Sequence, residues 1–177
     1  LWEQLRRSDH GAFDTLFRAH YAALVGVAER MLREREAAEE IVQDIYAEIW
    51  RRRETLVVEG TLRAYLFRST RNRALNHIRH HRIVQKSEHL VEPVTPMPAP
   101  SESIREQEIR DAVQQAVATL PDRCREVFQL SREGGLRYTE IAESMGISVK
   151  TVEAQMGKAL RILRERLSAW LVDPPSG

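Results

Sequence analysis

The chain has 177 residues, 42% hydrophobic and 30% charged, with a formal net charge of +1, the profile of a soluble globular protein of one domain or two small ones. Cys124 is the single cysteine, which excludes an internal disulfide and a cysteine-built metal site and fits a reducing compartment. No apolar run reaches the roughly 20 residues of a membrane-spanning helix, and the opening LWEQLRRSDHG is no signal peptide. The expected location is therefore cytoplasmic, with no membrane insertion, and the start on Leu1 rather than Met carries the expectation that a few residues precede it.

After a short first turn, GAFDTLFRAHYAALVGVAERML sets Phe13, Leu16, Phe17, Tyr21, Leu24, Val27, Ala28 and Met31 at three- and four-residue spacing. That period predicts an amphipathic helix. EAAEEIVQDIYAEIWRR predicts a second, with Ala38, Ile41, Val42, Ile45, Ile49 and Trp50 inward. Its outward edge is acidic: Glu40, Gln43, Asp44 and Glu48 follow i, i+3, i+4, i+8. The next stretch, ETLVVEGT, is expected to be a loop that turns at Gly60 and carries apolar Leu56, Val57 and Val58.

A third helix is predicted from about Thr61 to Arg82. It contains Arg63, Arg68, Arg71, Arg73, Arg79 and Arg82 with His77, His80 and His81, and no acid at all. At about 100° per residue, Tyr65, Arg68, Asn72, Asn76 and Arg79 share one stripe. Leu66, Phe67, Thr70, Ala74 and Ile78 lie on the other side, toward the core. A stripe of this chemistry suits nucleic acid. Arginine neutralises phosphate, tyrosine stacks on an unpaired base, and asparagine both donates and accepts at a base edge. The histidines have no carboxylate or thiol near them in sequence to complete a metal site, so no metal or cofactor is expected.

VEPVTPMPAPSES, residues 91–103, breaks the helical texture with Pro93, Pro96, Pro98 and Pro100. Prolines deny a helix its donors and favour an extended tether. The expected organisation is a domain over residues 1–86, a flexible linker over 87–103 and a second domain over 104–177. In the second, one helix is expected from about Ile104 to Thr119. Another opens with Pro121 in its first turn and carries Cys124, Val127, Phe128 and Leu130, before a turn at Gly134-Gly135. No segment alternates as a strand does, so the fold class is all-α.

YTEIAESMGISVKTVEAQMGKAL is the most specific local pattern. Ala142 is small where two helices cross, and Gly146 suits a turn of positive φ four residues later. Ile141, Met145, Ile147 and Val152 supply a shared core, and Ser148 caps the second helix. Lys150, Thr151, Glu153, Ala154, Gln155 and Lys158 then face outward, where a helix-turn-helix enters the DNA major groove.

In their order and spacing, three blocks resemble a bacterial RNA polymerase sigma factor of the extracytoplasmic-function (ECF) group. They are AFDTLFRAHYAALVGVAERML, the run from AEEIVQDIYAEIW through LRAYLFRSTRNRALNHIRHHR, and LPDRCREVFQLSREGGLRYTEIAESMGISVKTVEAQMGKALRILRERL. The resemblance implies two helical domains, region 2 and region 4. It implies that Glu40, Gln43, Asp44 and Glu48 bind core RNA polymerase at its clamp, with region 4 at its flap. By the same likeness, Leu56, Val57, Val58, Glu59, Gly60 and Thr61 form the loop that captures a flipped base of the minus-ten element. Tyr65, Arg68, Arg71, Asn72, Asn76 and Arg79 would hold the melted non-template strand, with Asn72 the expected base contact. Ser148, Lys150, Thr151, Glu153, Ala154, Gln155 and Lys158 would read the minus-thirty-five duplex. Glu153 and Gly157 depart from the basic and bulky residues common in the family, which bears on the sequence read there. The wording SVKTVEAQMGKALRILRE is similar to sigma factors of the iron-uptake-regulator type, implying an anti-sigma factor anchored in the membrane.

Two rival readings follow from the same residues. A stand-alone regulator of the LuxR type shares the helix-turn-helix but has no use for the acidic edge or the basic strand-binding helix. A nucleic-acid enzyme would need a carboxylate cluster or a nucleophile–base pair, and the sequence displays neither. No catalytic residue is assigned.

Overall fold

The structure is a computed structural model that describes residues 1–84 and 104–168; the Pro-rich linker and residues 169–177 lie outside the described residues. The described residues contain eight helices and no strand. They are α1 (Trp2–Arg6), α2 (His10–Leu32), α3 (Arg35–Arg52), α4 (Leu62–Val84), α5 (Ile104–Ala118), α6 (Asp122–Arg132), α7 (Tyr138–Met145) and α8 (Val149–Arg166). The predicted all-α class and helix order are found.

The helix ends are set by ordinary capping chemistry. Asp9 accepts from the Gly11 and Ala12 backbone N–H groups at 2.8 and 3.1 Å to open α2. Thr61 Oγ1 accepts from Ala64 N at 3.1 Å to open α4. Pro121 sits one position earlier than predicted, as the N-cap of α6 with ψ 144°. Its fixed φ serves a cap as readily as a first turn.

Apolar stripes of α2, α3 and α4 close on Leu16, Leu24, Val42, Ile45, Ile49, Leu66 and Phe67, all under 3% exposed. Beside them Phe13, Phe17, Tyr21, Tyr46 and Trp50 form a chain of aromatic contacts with centroids 4.5–6.4 Å apart. Burial pushes the Tyr46 hydroxyl pKa up, and that hydroxyl donates to the Leu16 carbonyl.

The core does not stop at the linker. Val127, Leu130, Leu136, Ile141, Ala142, Val152 and Met156 belong to the same buried cluster as Leu66 and Phe67. The bridge is α7 against α4. Gly134 makes it fit, since a Cβ there would stand 2.7 Å from the Leu130 carbonyl oxygen and 3.1 Å from Phe67 Cε1. A smaller cluster, Ala116, Leu120, Cys124, Ala159 and Leu163, fixes α5 and α6 to α8.

Candidate nucleic-acid interface

The helix-turn-helix is built as its residues dictate. Gly146 ends α7 in the left-handed region at φ 65°, and its N–H donates to the Ala142 carbonyl. Ser148 Oγ accepts from Thr151 N at 3.1 Å to cap α8. Ile141 and Val152 are fully buried between the two helices. Ser148, Lys150, Glu153, Ala154 and Lys158 are exposed and Thr151 is half-exposed. Gln155 is the member of the set turned partly inward: its Oε1 accepts from the Cys124 thiol at 3.0 Å. The spacing sets Gln155 outward with the rest, whereas the buried Cys124 thiol on α6 holds it half-buried.

On α4 the stripe divides as its period requires. Asn72, Asn76 and Arg79 are exposed and Tyr65 and Arg68 half-exposed, while Leu66, Phe67, Thr70 and Ala74 are wholly buried. Arg68 lies 6.0 Å from the Tyr65 ring centroid, and Arg79 Nη1 donates to Asn76 Oδ1 at 3.5 Å. Arg79 is exposed and Arg68 half-exposed, so both are accessible to a phosphate.

Three other arginines of α4, Arg63, Arg71 and Arg73, have acids of this same chain as partners. Arg73 pairs with Glu48 and lies 3.8 Å from Asp44. Arg71 forks onto Glu126, and Arg63 reaches Glu140 at 3.9 Å. The basic residues of this helix therefore stand in two settings: one face is exposed, and the other is matched internally. The internal partners stand 25 to 77 positions away, so no local pattern in the sequence announces them.

The acidic edge of α3 is divided too. Glu40, Gln43 and Asp44 are exposed, and Gln43 Nε2 donates to the Tyr21 hydroxyl at 3.4 Å. Glu48 is held between Arg52, which donates at 2.8 Å, and Arg73. The Arg52 hydrogen bond, followed by the Arg73 and other arginine charges, holds its carboxyl below the ordinary value. In the loop, Leu56 is buried at 9% exposure, Val57 is 80% exposed, and Val58 is half-buried against the core. Gly60 takes φ 76°, and Glu59 is exposed beside it.

Half-buried His20 of α2 is within electrostatic reach of Arg63 of α4 and Glu140 of α7. Burial, then the Arg63 charge, lowers its pKa below the usual 6.5, with Glu140 opposing. The folded chain thus resists a proton that the unfolded chain accepts, so stability present above pH 6.5 falls as pH drops below it. The expected result is a lower urea midpoint at pH 5.5 than at 7.5, with a slope that flattens in His20→Gln. An unchanged slope in that variant removes His20 as the cause.

Comparison with known proteins accounts for both halves of this arrangement. The family model Sigma-70 region 2 matches residues 16–83, and Sigma-70, region 4 matches residues 110–163. The chain belongs to the sigma-70 family, whose members are non-enzymatic transcription initiation factors. It is 27% identical over 165 residues to the ECF RNA polymerase sigma factor SigK of Mycobacterium tuberculosis (strain ATCC 25618 / H37Rv), covering 90% of this chain and 87% of that one. Against SigK of Mycobacterium ulcerans (strain Agy99) the identity is 27% over 175 residues, covering 96% and 92%. Among solved structures it is similar to the sigma factor RpoE in complex with the anti-sigma factor NepR from Bartonella quintana. That match has a TM-score of 0.70 and 26% identity over 89% of this chain and 97% of the other. CnrH in complex with the cytosolic domain of CnrY shares the fold at a TM-score of 0.66 and 24% identity, covering 95% of each chain. Within the family this chain is a promoter-recognition sigma factor of the ECF group, and the LuxR-like alternative is not favoured.

Proposed function

We propose that this chain binds core RNA polymerase through Glu40, Gln43 and Asp44, places α8 on the minus-thirty-five duplex, and holds the melted minus-ten strand on α4 and the 56–61 loop. The observation that carries the reading is the α4 stripe: Asn72, Asn76 and Arg79 are exposed and Arg68 half-exposed while the same helix buries Leu66 and Phe67. Exposed amides serve a duplex as well as a strand, but beside a tyrosine that can stack on an unpaired base they suit a strand with free base edges. The loop adds an apolar residue, Val57, at the surface beside a left-handed glycine, a setting in which an unstacked base finds apolar contact.

The regulatory partner we propose is an anti-sigma factor, membrane-anchored and of the iron-uptake-regulator type, which the wording of α8 supports. A groove of about 1050 Å³ between α2–α3 and α5–α6, with Val113, Val117 and Phe128 in its wall, offers such a partner apolar contact. No helix among the described residues is long and apolar enough to cross a membrane; the site of action we propose is the cytoplasm, where core polymerase and promoter DNA are met.

The test is run-off transcription from genomic fragments with core polymerase and this chain as the sole sigma factor. Specific transcripts are expected, and they should fade in Glu40→Arg together with polymerase affinity while thermal stability stays unchanged. Transcription from no fragment would remove the initiation reading. Full polymerase affinity in Glu40→Arg would remove the α3 contact.

A further inference from the structure

We propose that Cys124 is a positioning residue for DNA sequence choice: its buried thiol holds the carbonyl end of Gln155, so that Gln155 meets the minus-thirty-five duplex as a hydrogen-bond donor. The proposal rests on the reading that α8 enters the major groove, and it adds which base edge this side chain selects. Cys124 is wholly buried on α6, and the residues clustered with it, Ala116, Leu120, Ala159 and Leu163, are apolar. The polar atom its S–H reaches is Gln155 Oε1, at 3.0 Å. Gln155 is half-buried, with Glu153 and Ala154 exposed before it and Gly157 and Lys158 exposed after it. It therefore stands at the inner margin of the face assigned to the groove, anchored at one end of its amide. The other end, Nε2, donates to no described residue.

A glutamine carries one carbonyl acceptor and an NH2 group with two donors. With both ends free it suits adenine, accepting from N6 and donating to N7. The two ends of the planar amide diverge from one carbon, so turning the oxygen toward α6 turns the NH2 group away from it. Guanine N7 and O6 both accept from that group, whereas the adenine N6 amine then lacks its acceptor. A thiol is a weak donor, but this one is wholly buried among apolar side chains that offer it no alternative. Cys124 thus acts on the DNA through Gln155 and touches no base itself, and the resulting preference is for guanine over adenine.

The test is selection from a duplex library in which the minus-thirty-five positions of a responsive promoter are randomised, using the full chain bound to core polymerase. The contacted position is the one whose preference Gln155→Ala abolishes. There the parent should favour guanine, and Cys124→Ala should move the guanine-to-adenine ratio about tenfold toward adenine by freeing the carbonyl. Cys124→Ser keeps a donor and should restore the parent ratio. Cys124→Val repeats the removal with the site filled, and circular dichroism confirms that each variant is folded. Loss of packing alone would lower affinity for every sequence alike and leave the ratio where it was. An unchanged ratio in Cys124→Ala and Cys124→Val, adenine already favoured by the parent, or no position altered in Gln155→Ala overturns the proposal and leaves the functional reading standing. No enrichment at any minus-thirty-five position in any variant, with polymerase binding intact, overturns the placement of α8 on the duplex and this proposal with it.

Discussion

Phe67→Ala is expected to cost about 3–5 kcal/mol of folding stability, the range for emptying a large aromatic site in a core. Phe67 is fully buried and among the largest side chains so placed. It packs from α4 toward Gly134, where the turn after α6 approaches so closely that no side chain fits. Truncation therefore opens a void shared by both regions, and the turn cannot collapse into it because Leu130, Leu136 and the Leu130 carbonyl hold it in place. Against a typical total of about 5–15 kcal/mol, such a loss leaves little in reserve. Urea denaturation followed by circular dichroism should show a midpoint that falls sharply with little change in slope. Phe67→Leu, which fills most of the volume, should lose far less. A small loss in the alanine variant would mean that the two regions do not share this core in solution.

The helices were readable because their signals are local. Apolar spacing of three and four, the cap at Ser148, and a glycine at the turn of the helix-turn-helix are contained within a few residues. The inward and outward faces of α4 followed from the same period, down to Thr70 as a buried polar residue. What could not be read were partners distant in sequence. Arg71 looks like a free strand contact until Glu126 is placed against it, and Glu48 looks like part of an open acidic edge until Arg73 takes it. Helical periodicity assigns a face to such residues but says nothing of a helix from the other side of the linker. Leu56 and Val57 show the same limit in a loop, where no period operates: adjacent apolar residues are read alike, yet one is buried and the other stands in solvent.

Asn72→Ala is the other change with a large expected effect, and it falls on function rather than stability. The side chain is exposed on α4, so its loss opens no cavity, and surface substitutions of this kind shift stability by only about 0.5 kcal/mol. If Asn72 reads a base edge, as proposed, removal forfeits about 1–3 kcal/mol of recognition. That corresponds to roughly a tenfold to hundredfold loss of open complex at fixed concentration. Permanganate footprinting of the melted region should register the loss, while gel-shift affinity for closed duplex promoter should stay near the parent value. Arg68→Ala supplies the contrast. It is half-exposed beside Tyr65, and a phosphate contact there would act on any sequence. Its loss should weaken strand binding evenly and make the salt slope shallower by about 0.7. Asn72→Ala should leave that slope unchanged and change which bases are preferred. Equal losses on duplex and melted promoter in Asn72→Ala would make it a packing residue, and the base contact would then have to be sought at Asn76, which shares the stripe one turn further on.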